Sequence, residues 1–264
     1  MKLFVTDLDG SLLNSNKELP FDFYTTINTI KNNNDLFFIA SGRSKNDIRK
    51  LFDEKEHFHN YICDNGALVM YENNIIYHNY MNRDDIRKII DIFYNNDLGV
   101  LVLSGIKDTY RIYGKTCHPK DAHFFDRYYV ESLTVKSIDD IPEEILKITI
   151  QSYQGAGEFI APYYKDCNFI ETSSVVAGLY WFDFTNSSAT KGEAIKNIQK
   201  TLGISKDDSH CFGDYLNDLS MKDYCTHSYA MANSHQTILD EFSEVIDSND
   251  NCGVTKKINE IMEK

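Results

Sequence analysis

Two aspartates one residue apart, Asp7 and Asp9, end the first apolar run of the chain and are followed at once by Gly10. Side chains two residues apart on a strand point to the same face, so these carboxylates repel each other unless a cation lies between them. The oxygens of such a pair are the ligands that hard divalent cations prefer. The plainer alternative is a strand that ends in an acid-rich turn.

Three later segments carry polar residues of complementary chemistry. The segment 41–43 (Ser-Gly-Arg) follows a second apolar run, and the segment 213–218 (Gly-Asp-Tyr-Leu-Asn-Asp) follows another. Lys191 lies in the first turn of a predicted helix, where the helix dipole disfavours a cation, so a structural role for it is not obvious. Taken singly, these segments also fit a helix cap, an exposed lysine and a β-turn.

Together the four segments supply what phosphoryl transfer requires: a nucleophile, neutralisation of charge and groups that position the phosphate. Mg²⁺ binds carboxylates together with substrate phosphate, and it would relieve the repulsion within the acid pair. The acids that we expect to converge around it are Asp7, Asp9 and Asp214, with Asp218 behind them. The predicted donors to the phosphoryl group are Lys191, Ser41 and the backbone near Gly10 and Gly42.

Length and charge limit the possible functions. The 264 residues suffice for one large domain or two small ones, and the net charge of −13 argues against a nucleic-acid partner or an anionic membrane. Six cysteines show no Cys-x-x-Cys spacing, which favours free thiols in a reducing compartment. The sequence shows neither a signal peptide nor an apolar run of about 20 residues. We therefore expect a soluble cytoplasmic protein.

The elements that must position these residues are alternating strands and helices. Apolar runs without alternation are typical of strands buried on both faces of a parallel sheet, and they cover 3–7, 36–41, 61–65, 210–214 and, more weakly, 228–233. Helical patterns separate them; the best has Thr190 and Glu193 as a capping box and Gly203 as its end. This predicts an α/β, doubly wound parallel sheet, which binds ligands beyond the carboxyl ends of its strands.

The middle of the chain has a different pattern. Residues 86–93 read as an amphipathic helix, and 99–104 with 109–114 as a hairpin. The remaining predicted elements are helices around 121–130 and 158–165 and strands at 146–153, 169–174 and 178–184. The pattern predicts an α+β domain at 82–183, inserted between two halves, 1–81 and 184–264, of the α/β domain.

The motifs DLDGS, SGR, Lys191 and GDYLND, in that order, resemble those of the haloacid dehalogenase superfamily of aspartate-nucleophile phosphatases. More narrowly, they are similar to the Cof-type sugar-phosphatase branch (subfamily IIB), which carries an α+β cap of the C2 type between its second and third motifs. The resemblance covers essentially the whole chain and includes the segments 65–67 (Asn-Gly-Ala), 230–234 and 249–254.

The resemblance implies a Mg²⁺-dependent phosphatase that forms an aspartyl-phosphate. Asp7 would be the nucleophile, and Asp9 the general acid and then the general base. The implied metal ligands are Asp7, Asp9 through its backbone carbonyl, Asp214 and, close by, Asp218. The implied substrate-phosphate ligands are Gly10, Ser41, Gly42, Lys191 and Asn217. The expected substrates are small phosphorylated metabolites, with sugar phosphates foremost, and the inserted cap is expected to select among them.

Two other functions fit the same residues. One is a phosphotransferase or phosphomutase on the same scaffold. The other is a regulatory phospho-acceptor module, in which the phosphorylated aspartate is a signal; the large insertion argues against it, because a signalling domain has little need of a lid. The sequence gives no recognition pattern for a particular substrate and no indication of oligomeric state.

Overall fold

The computed structural model of the protein describes residues 1–52, 58–116, 118–121 and 132–263. The chain divides into two compact units. The first joins Met1–His78 with Ala189–Lys264, and the second is the continuous segment Asn79–Ser188.

The first unit contains strands on both sides of the insertion. Numbered along the whole chain, these strands are β1 (Leu3–Asp7), β2 (Leu36–Ala40), β3 (Tyr61–Cys63), β4 (Leu68–Tyr71), β5 (Asn74–His78), β12 (Ser209–Gly213), β13 (His227–Met231) and β14 (Glu244–Ile246). The α-helices of this unit are α1 (Phe23–Asn32), α2 (Lys45–Arg49), α4 (Lys191–Leu202), α5 (Gln236–Glu241) and α6 (Gly253–Met262). Short 3₁₀ segments are Asp64–Gly66, Leu216–Asp223 and Asn249–Asn251.

These described strands form one sheet in the order β14-β13-β12-β1-β2-β3-β4-β5. The pairs from β14 through β3 are parallel, which confirms the predicted α/β class. Strands β4 and β5 extend the sheet as an antiparallel hairpin that the sequence pattern did not indicate. Because β1 lies between β2 and β12, the residues that follow these three strands meet at one edge of the sheet.

The face of α4 that was predicted to be apolar packs against this sheet. Ala194, Ile195 and Ile198 are fully buried with residues of β1, β2 and β12, and each large apolar side chain buried in this way contributes about 1.5–3 kcal/mol. The Thr190 hydroxyl accepts the Glu193 N–H at 3.1 Å, so the helix begins where predicted. The reciprocal half of the capping box is absent.

The Glu193 side chain does not complete the capping box because two other side chains donate hydrogen bonds to it. The Glu193 carboxylate accepts hydrogen bonds from Tyr224 at 2.5 Å and from Lys196 at 3.1 Å, so it does not turn back to the cap. At the other end of the helix, Gly203 has a φ of 70°, and it ends α4 as predicted.

The second unit is an α+β structure. Its described elements are α3 (Arg83–Asn96), β6 (Val100–Gly105), β7 (Thr109–Tyr113), β8 (Leu133–Thr134), β9 (Ile145–Gln151), β10 (Thr172–Val176), β11 (Trp181–Asn186) and the short helical turns Ile138–Asp140, Ala156–Ile160 and Ala161–Tyr163. The strands pair in the order β10-β11-β9-β6-β7-β8, antiparallel except for the short β7–β8 pair. One face of this sheet packs with α3 in a core that includes Ile86, Phe93 and Phe184.

Some sequence predictions for this unit are corrected by the structure. The helix expected at 158–165 is instead a π-helical turn, Ala156–Ile160, followed by the 3₁₀ turn Ala161–Tyr163, because Pro162 cannot donate in an α-helix interior. The last hairpin begins about three residues later than expected, at Thr172 and Trp181. The helix expected around 121–130 lies outside the described residues beyond its first position. Across the described ranges, no helix combines the length and apolar character needed to cross a bilayer.

Candidate active site

Every sequence-predicted site residue lies in the first unit, in segments that meet at the carboxyl edge of its parallel strands. Asp7 is the last residue of β1, and Asp9 and Gly10 follow it. The segment 41–43 follows β2, and Asp214 follows β12. Lys191 is the first residue of α4. The topology therefore brings together residues far apart in sequence.

The acids form a cluster around the buried ammonium group of Lys191. One oxygen from each of Asp7, Asp214 and Asp218 can be chosen so that all lie within 4.8 Å of one another. Lys191 is fully buried, and its Nζ lies 2.5 Å from Oδ1 of Asp7 and 2.6 Å from Oδ1 of Asp218. Asp7 itself is only 6% exposed. One lysine thus faces three carboxylates in a region with little solvent.

Asp218 is held from both sides. While its Oδ1 accepts from Lys191, its Oδ2 accepts the backbone N–H groups of Asp214 at 2.9 Å and Tyr215 at 3.0 Å. Gly213 makes this packing possible, because a Cβ there would lie 2.6 Å from the Asp218 Cβ. Both oxygens of Asp218 are therefore engaged in shaping the loop that carries Asp214.

The turn after β1 is shaped to admit Asp214. Gly10 has a φ of 96°, and a Cβ at this position would lie 2.4 Å from Oδ2 of Asp214. The Ser11 hydroxyl donates to Oδ1 of the same carboxylate at 2.8 Å. Asn233 donates to the Gly10 carbonyl at 2.8 Å and so fixes the turn from the side of β13. Only glycine combines this backbone conformation with so close an approach.

The charges of the cluster are poorly matched. Burial is the main cause that raises the pKa of Asp7, and the neighbouring Asp218 and Asp214 raise it further against the opposing effect of Lys191. Burial likewise raises the pKa of Asp214, although its hydrogen bond from Ser11 opposes the rise. Burial acts to lower the pKa of Lys191, but Asp218 and Asp7 outweigh it and raise that pKa, so the ammonium stays charged.

This donor set fits a hard divalent cation. The ligand atoms are carboxylate oxygens, which suit Mg²⁺ better than a softer metal. A divalent cation, added to the ammonium group of Lys191, would also offset the excess negative charge that contributes to the raised pKa of Asp7 and of Asp214. Asp7 and Asp214 have the more accessible geometry for direct coordination, because both oxygens of Asp218 already accept hydrogen bonds.

Asp9 has a different environment from Asp7. Its carboxylate accepts two hydrogen bonds from Arg43, Nε to Oδ2 at 2.7 Å and Nη2 to Oδ1 at 2.6 Å, and a third from Lys17 at 3.0 Å. Partial burial would raise the pKa of Asp9, but the hydrogen bonds and charges of Arg43 and Lys17 lower it overall. The cluster of three acids does not include this carboxylate.

Sequence reasoning missed these two basic partners of Asp9. Arg43 was within a recognised segment but had no assigned role, and its spacing from Asp9 gave no reason to pair them. Lys17 carried no signal at all, since it reaches Asp9 from a turn in which its own φ is 65°. Ser11 was part of the first motif and could have been considered as a donor to Asp214.

Two of the predicted phosphate-binding residues, Gly42 and Asn217, lie against a further asparagine, Asn65. Ser41 is buried, and its Oγ accepts the Arg43 N–H at 3.1 Å. Asn217 is exposed, and its Nδ2 donates to Oδ1 of Asn65 at 3.1 Å. A Cβ on Gly42 would lie 3.2 Å from the amide of the same Asn65. The structure thus links Gly42 and Asn217 through a residue to which the sequence gave no role.

Comparisons with known proteins identify the family of the chain. The family model described as haloacid dehalogenase-like hydrolase matches residues 4–258. YxeH of Bacillus subtilis is 25% identical over 99% of this chain and 98% of its own length. 5-amino-6-(5-phospho-D-ribitylamino)uracil phosphatase YwtE of the same organism is 24% identical over 99% of this chain and 98% of its own.

A solved structure shares the whole fold. SMU.1108c from Streptococcus mutans superposes with a TM-score of 0.83 at 24% identity, and the match covers 100% of both chains. The family match confirms the family and the enzyme class that the motifs predicted. The chain therefore belongs to the haloacid dehalogenase-like hydrolases.

Proposed function

We propose that this protein is a Mg²⁺-dependent phosphatase that hydrolyses small phosphorylated metabolites, with sugar phosphates as the leading class. The observation that carries the proposal is the acid cluster at the end of β1, where Asp7 lies 2.5 Å from the buried Lys191 and within reach of Asp214. Relatives that are named as phosphatases match this chain along nearly their full length, and they support the reaction class.

Asp7 is the nucleophile in this proposal. One of its oxygens forms a bond to phosphorus while the bond from phosphorus to the ester oxygen breaks, which leaves an aspartyl-phosphate on the chain. Lys191 donates to Oδ1 of Asp7, so the lysine both orients the carboxylate and offsets the negative charge that gathers there. Covalent catalysis of this kind divides one difficult displacement into two easier ones.

Asp9 moves the protons. It gives a proton to the departing ester oxygen in the first step. In the second step it takes a proton from water as the water oxygen bonds to phosphorus, the bond from phosphorus to the Asp7 oxygen breaks, and inorganic phosphate and the free Asp7 carboxylate result. The contacts with Arg43 and Lys17 favour the ionised form of Asp9, which is the form needed as a base. The acid step therefore requires Asp9 to leave this pairing when substrate is bound.

The residues that would hold Mg²⁺ are the carboxylates of Asp7 and Asp214 and the backbone carbonyl of Asp9, with Asp218 shaping the loop beside them. When bound, the ion supplies positive charge to the phosphoryl oxygens. The phosphoryl group itself would be held by Ser41, Lys191 and Asn217, with backbone N–H groups at the tight turns of Gly10 and Gly42 as further donors.

The setting of the enzyme belongs to the same proposal. Among the described residues, Cys167, Cys211, Cys225 and Cys252 carry free thiols. Free thiols and the net charge of −13 support a cytoplasmic enzyme without a nucleic-acid or membrane partner.

The test is phosphate release by the wild type and by Asp7→Asn. The variant keeps the shape of the side chain but removes the nucleophile, so we expect turnover to fall by roughly 10³-fold or more. Asp91→Asn, at an exposed position of α3, is the matched control and should retain full turnover. The substrates are p-nitrophenyl phosphate and a panel of sugar phosphates, each assayed with Mg²⁺ and with a chelator.

Two readouts accompany turnover. A rise in the unfolding temperature on addition of Mg²⁺, reduced in Asp214→Asn, would show metal binding independently of catalysis. Phosphate recovered on an added sugar instead of in solution would favour the phosphotransferase alternative. Full turnover by Asp7→Asn would overturn the proposed mechanism.

A further inference from the structure

The turn after β3 has an unusual backbone. Asp64, Asn65 and Gly66 have successive φ values of 49°, 57° and 108°. Residues other than glycine adopt the left-handed region reluctantly, and asparagine and aspartate tolerate it best. Conformations of this kind persist only where the surrounding structure enforces them, and they concentrate at functional sites. The proposed mechanism gives this turn no role.

Backbone hydrogen bonds tie the turn to the segment that follows β2. The Asp64 N–H donates to the carbonyl of Arg43, and the Asn65 N–H donates to the carbonyl of Ser41, each at 3.0 Å. The left-handed conformation is what allows consecutive N–H groups to reach this neighbouring segment. The position of the turn therefore fixes the position of Ser41 and its neighbours.

Gly66 brings the same turn against the beginning of α4. A Cβ on Gly66 would lie 2.2 Å from the carbonyl oxygen of Thr190 and 3.0 Å from the backbone nitrogen of Lys191. No larger residue fits this contact without a backbone shift, so the turn packs directly on the residue that delivers Lys191. One short segment thus contacts two separate parts of the proposed phosphate site.

The Asn65 side chain reaches a third part. Its Oδ1 accepts a hydrogen bond from Nδ2 of Asn217 at 3.1 Å, which orients an otherwise exposed side chain of the loop after β12. Its amide also lies against Gly42, where a Cβ would come within 3.2 Å of both Oδ1 and Nδ2. Asn65 as a whole is half-buried.

We propose that Asn65 is a positioning residue for substrate phosphate, which holds Asn217 and the segment 41–43 in one arrangement. This inference rests on the proposed function, because it assigns both partners to the phosphate side of the site. Asn65 acts on binding of the phosphoryl group and leaves the attack by Asp7 largely unaffected. Its removal therefore weakens affinity for phosphate more than it slows the chemical step.

Asn65→Gly is the informative variant. Glycine adopts the left-handed conformation without strain, so this change removes the amide while it preserves the turn. We expect the KM for phosphate esters and the inhibition constant for inorganic phosphate to rise about tenfold, the effect of losing one well-placed hydrogen bond. The kcat should change by about twofold or less.

Asn34→Gly provides a matched control. Asn34 also has a left-handed backbone, with a φ of 59°, but it lies exposed in the turn after α1. The Asn34→Gly substitution should leave KM, kcat and the inhibition constant for inorganic phosphate unchanged. If Asn65→Gly behaves like this control, or if it lowers only the free energy of unfolding, Asn65 is merely structural and the inference is wrong.

A double-mutant cycle with Asn217→Ala tests the pairing. Because Asn65 acts partly through Asn217, the two substitutions should not have independent effects. The fold-increase in KM of the double variant should therefore be clearly smaller than the product of the fold-increases of the two single variants. Fully multiplicative effects would contradict the pairing.

Binding of inorganic phosphate, measured by calorimetry in Mg²⁺ buffer, separates the two proposals. If the wild type binds phosphate and Asn65→Gly binds it about tenfold more weakly, the inference holds even where no ester is hydrolysed. If the wild type releases phosphate from esters and the variant binds it equally well, the inference fails and the proposed function stands. A wild type that neither binds phosphate nor hydrolyses esters overturns both.

Discussion

Replacement of Lys191 by methionine should be among the most destabilising single changes in the first unit. The ammonium is fully buried and lies 2.5 and 2.6 Å from the carboxylates of Asp7 and Asp218. Removing one partner of a buried ion pair costs about 3–5 kcal/mol, because the other charge is left uncompensated. Here two carboxylates lose the same cation, so we expect a loss near the upper end, about 5 kcal/mol.

The loss is large compared with the stability of a typical domain, roughly 5–15 kcal/mol. Urea unfolding at pH 7.5 in the presence of a chelator measures it directly. Lys200→Met, an exposed lysine of the same helix α4, is the control and should change the free energy of unfolding by about 0.5 kcal/mol or less.

Two further measurements sharpen the result. Mg²⁺ at 100 times its dissociation constant should raise the free energy of unfolding of Lys191→Met by about 2.7 kcal/mol, because only the folded chain brings the carboxylate ligands together. Acidification should also reduce the deficit, since protonation of Asp7, whose pKa is raised chiefly by burial, removes one unpaired charge. If Lys191→Met is as stable as the wild type in chelator, the cluster does not depend on the lysine and our account of its electrostatics is wrong.

The remaining predictions concern a buried histidine and a glycine. Burial, with a smaller contribution from His227, lowers the pKa of His210 to about 4, so the unfolded chain binds more protons than the folded one between pH 6.5 and pH 4. Stability should therefore fall by about 1–2 kcal/mol from pH 7 to pH 5, and urea unfolding of His210→Gln should lack this portion of the loss. Gly10→Ala should lower kcat/KM by about tenfold or more and weaken the response of the unfolding temperature to Mg²⁺, because the new Cβ meets Asp214 and the φ is positive. Gly157→Ala, where a Cβ has nothing within 4 Å, should behave as wild type, and an unaltered Gly10→Ala would contradict the close approach.

The location of the site could be predicted from sequence because parallel strands impose it. Apolar runs that end in polar residues marked β1, β2 and β12, and the carboxyl ends of adjacent parallel strands meet at one edge. The acids Asp7 and Asp214 were therefore brought together by topology alone. The first turn of α4 was marked by its cap, which placed Lys191 as well.

The contacts that tune the site could not be predicted in the same way. Arg43 and Lys17 reach Asp9 through side-chain geometry, and Asn65 reaches Asn217 across 152 positions of sequence. Hydrogen bonds between loops leave no periodic pattern, so neither spacing nor propensity reveals them. The prediction of a helix at 158–165 was wrong for a local reason. Pro162 lies at the centre of this segment, and proline is unfavourable in the interior of an α-helix.

The position of β1 between β2 and β12 has a consequence for how the chain is made. Because β12 is synthesised after Asn79–Ser188 is complete, β1 has one unpaired edge until nearly the whole protein has left the ribosome. The second unit is continuous, so its folding need not wait for later sequence. We expect a chain that stops at Ser188 to keep a protease-resistant second unit while residues 1–78 are digested. Equal resistance of both parts would show that the first half of the sheet folds without its later strands.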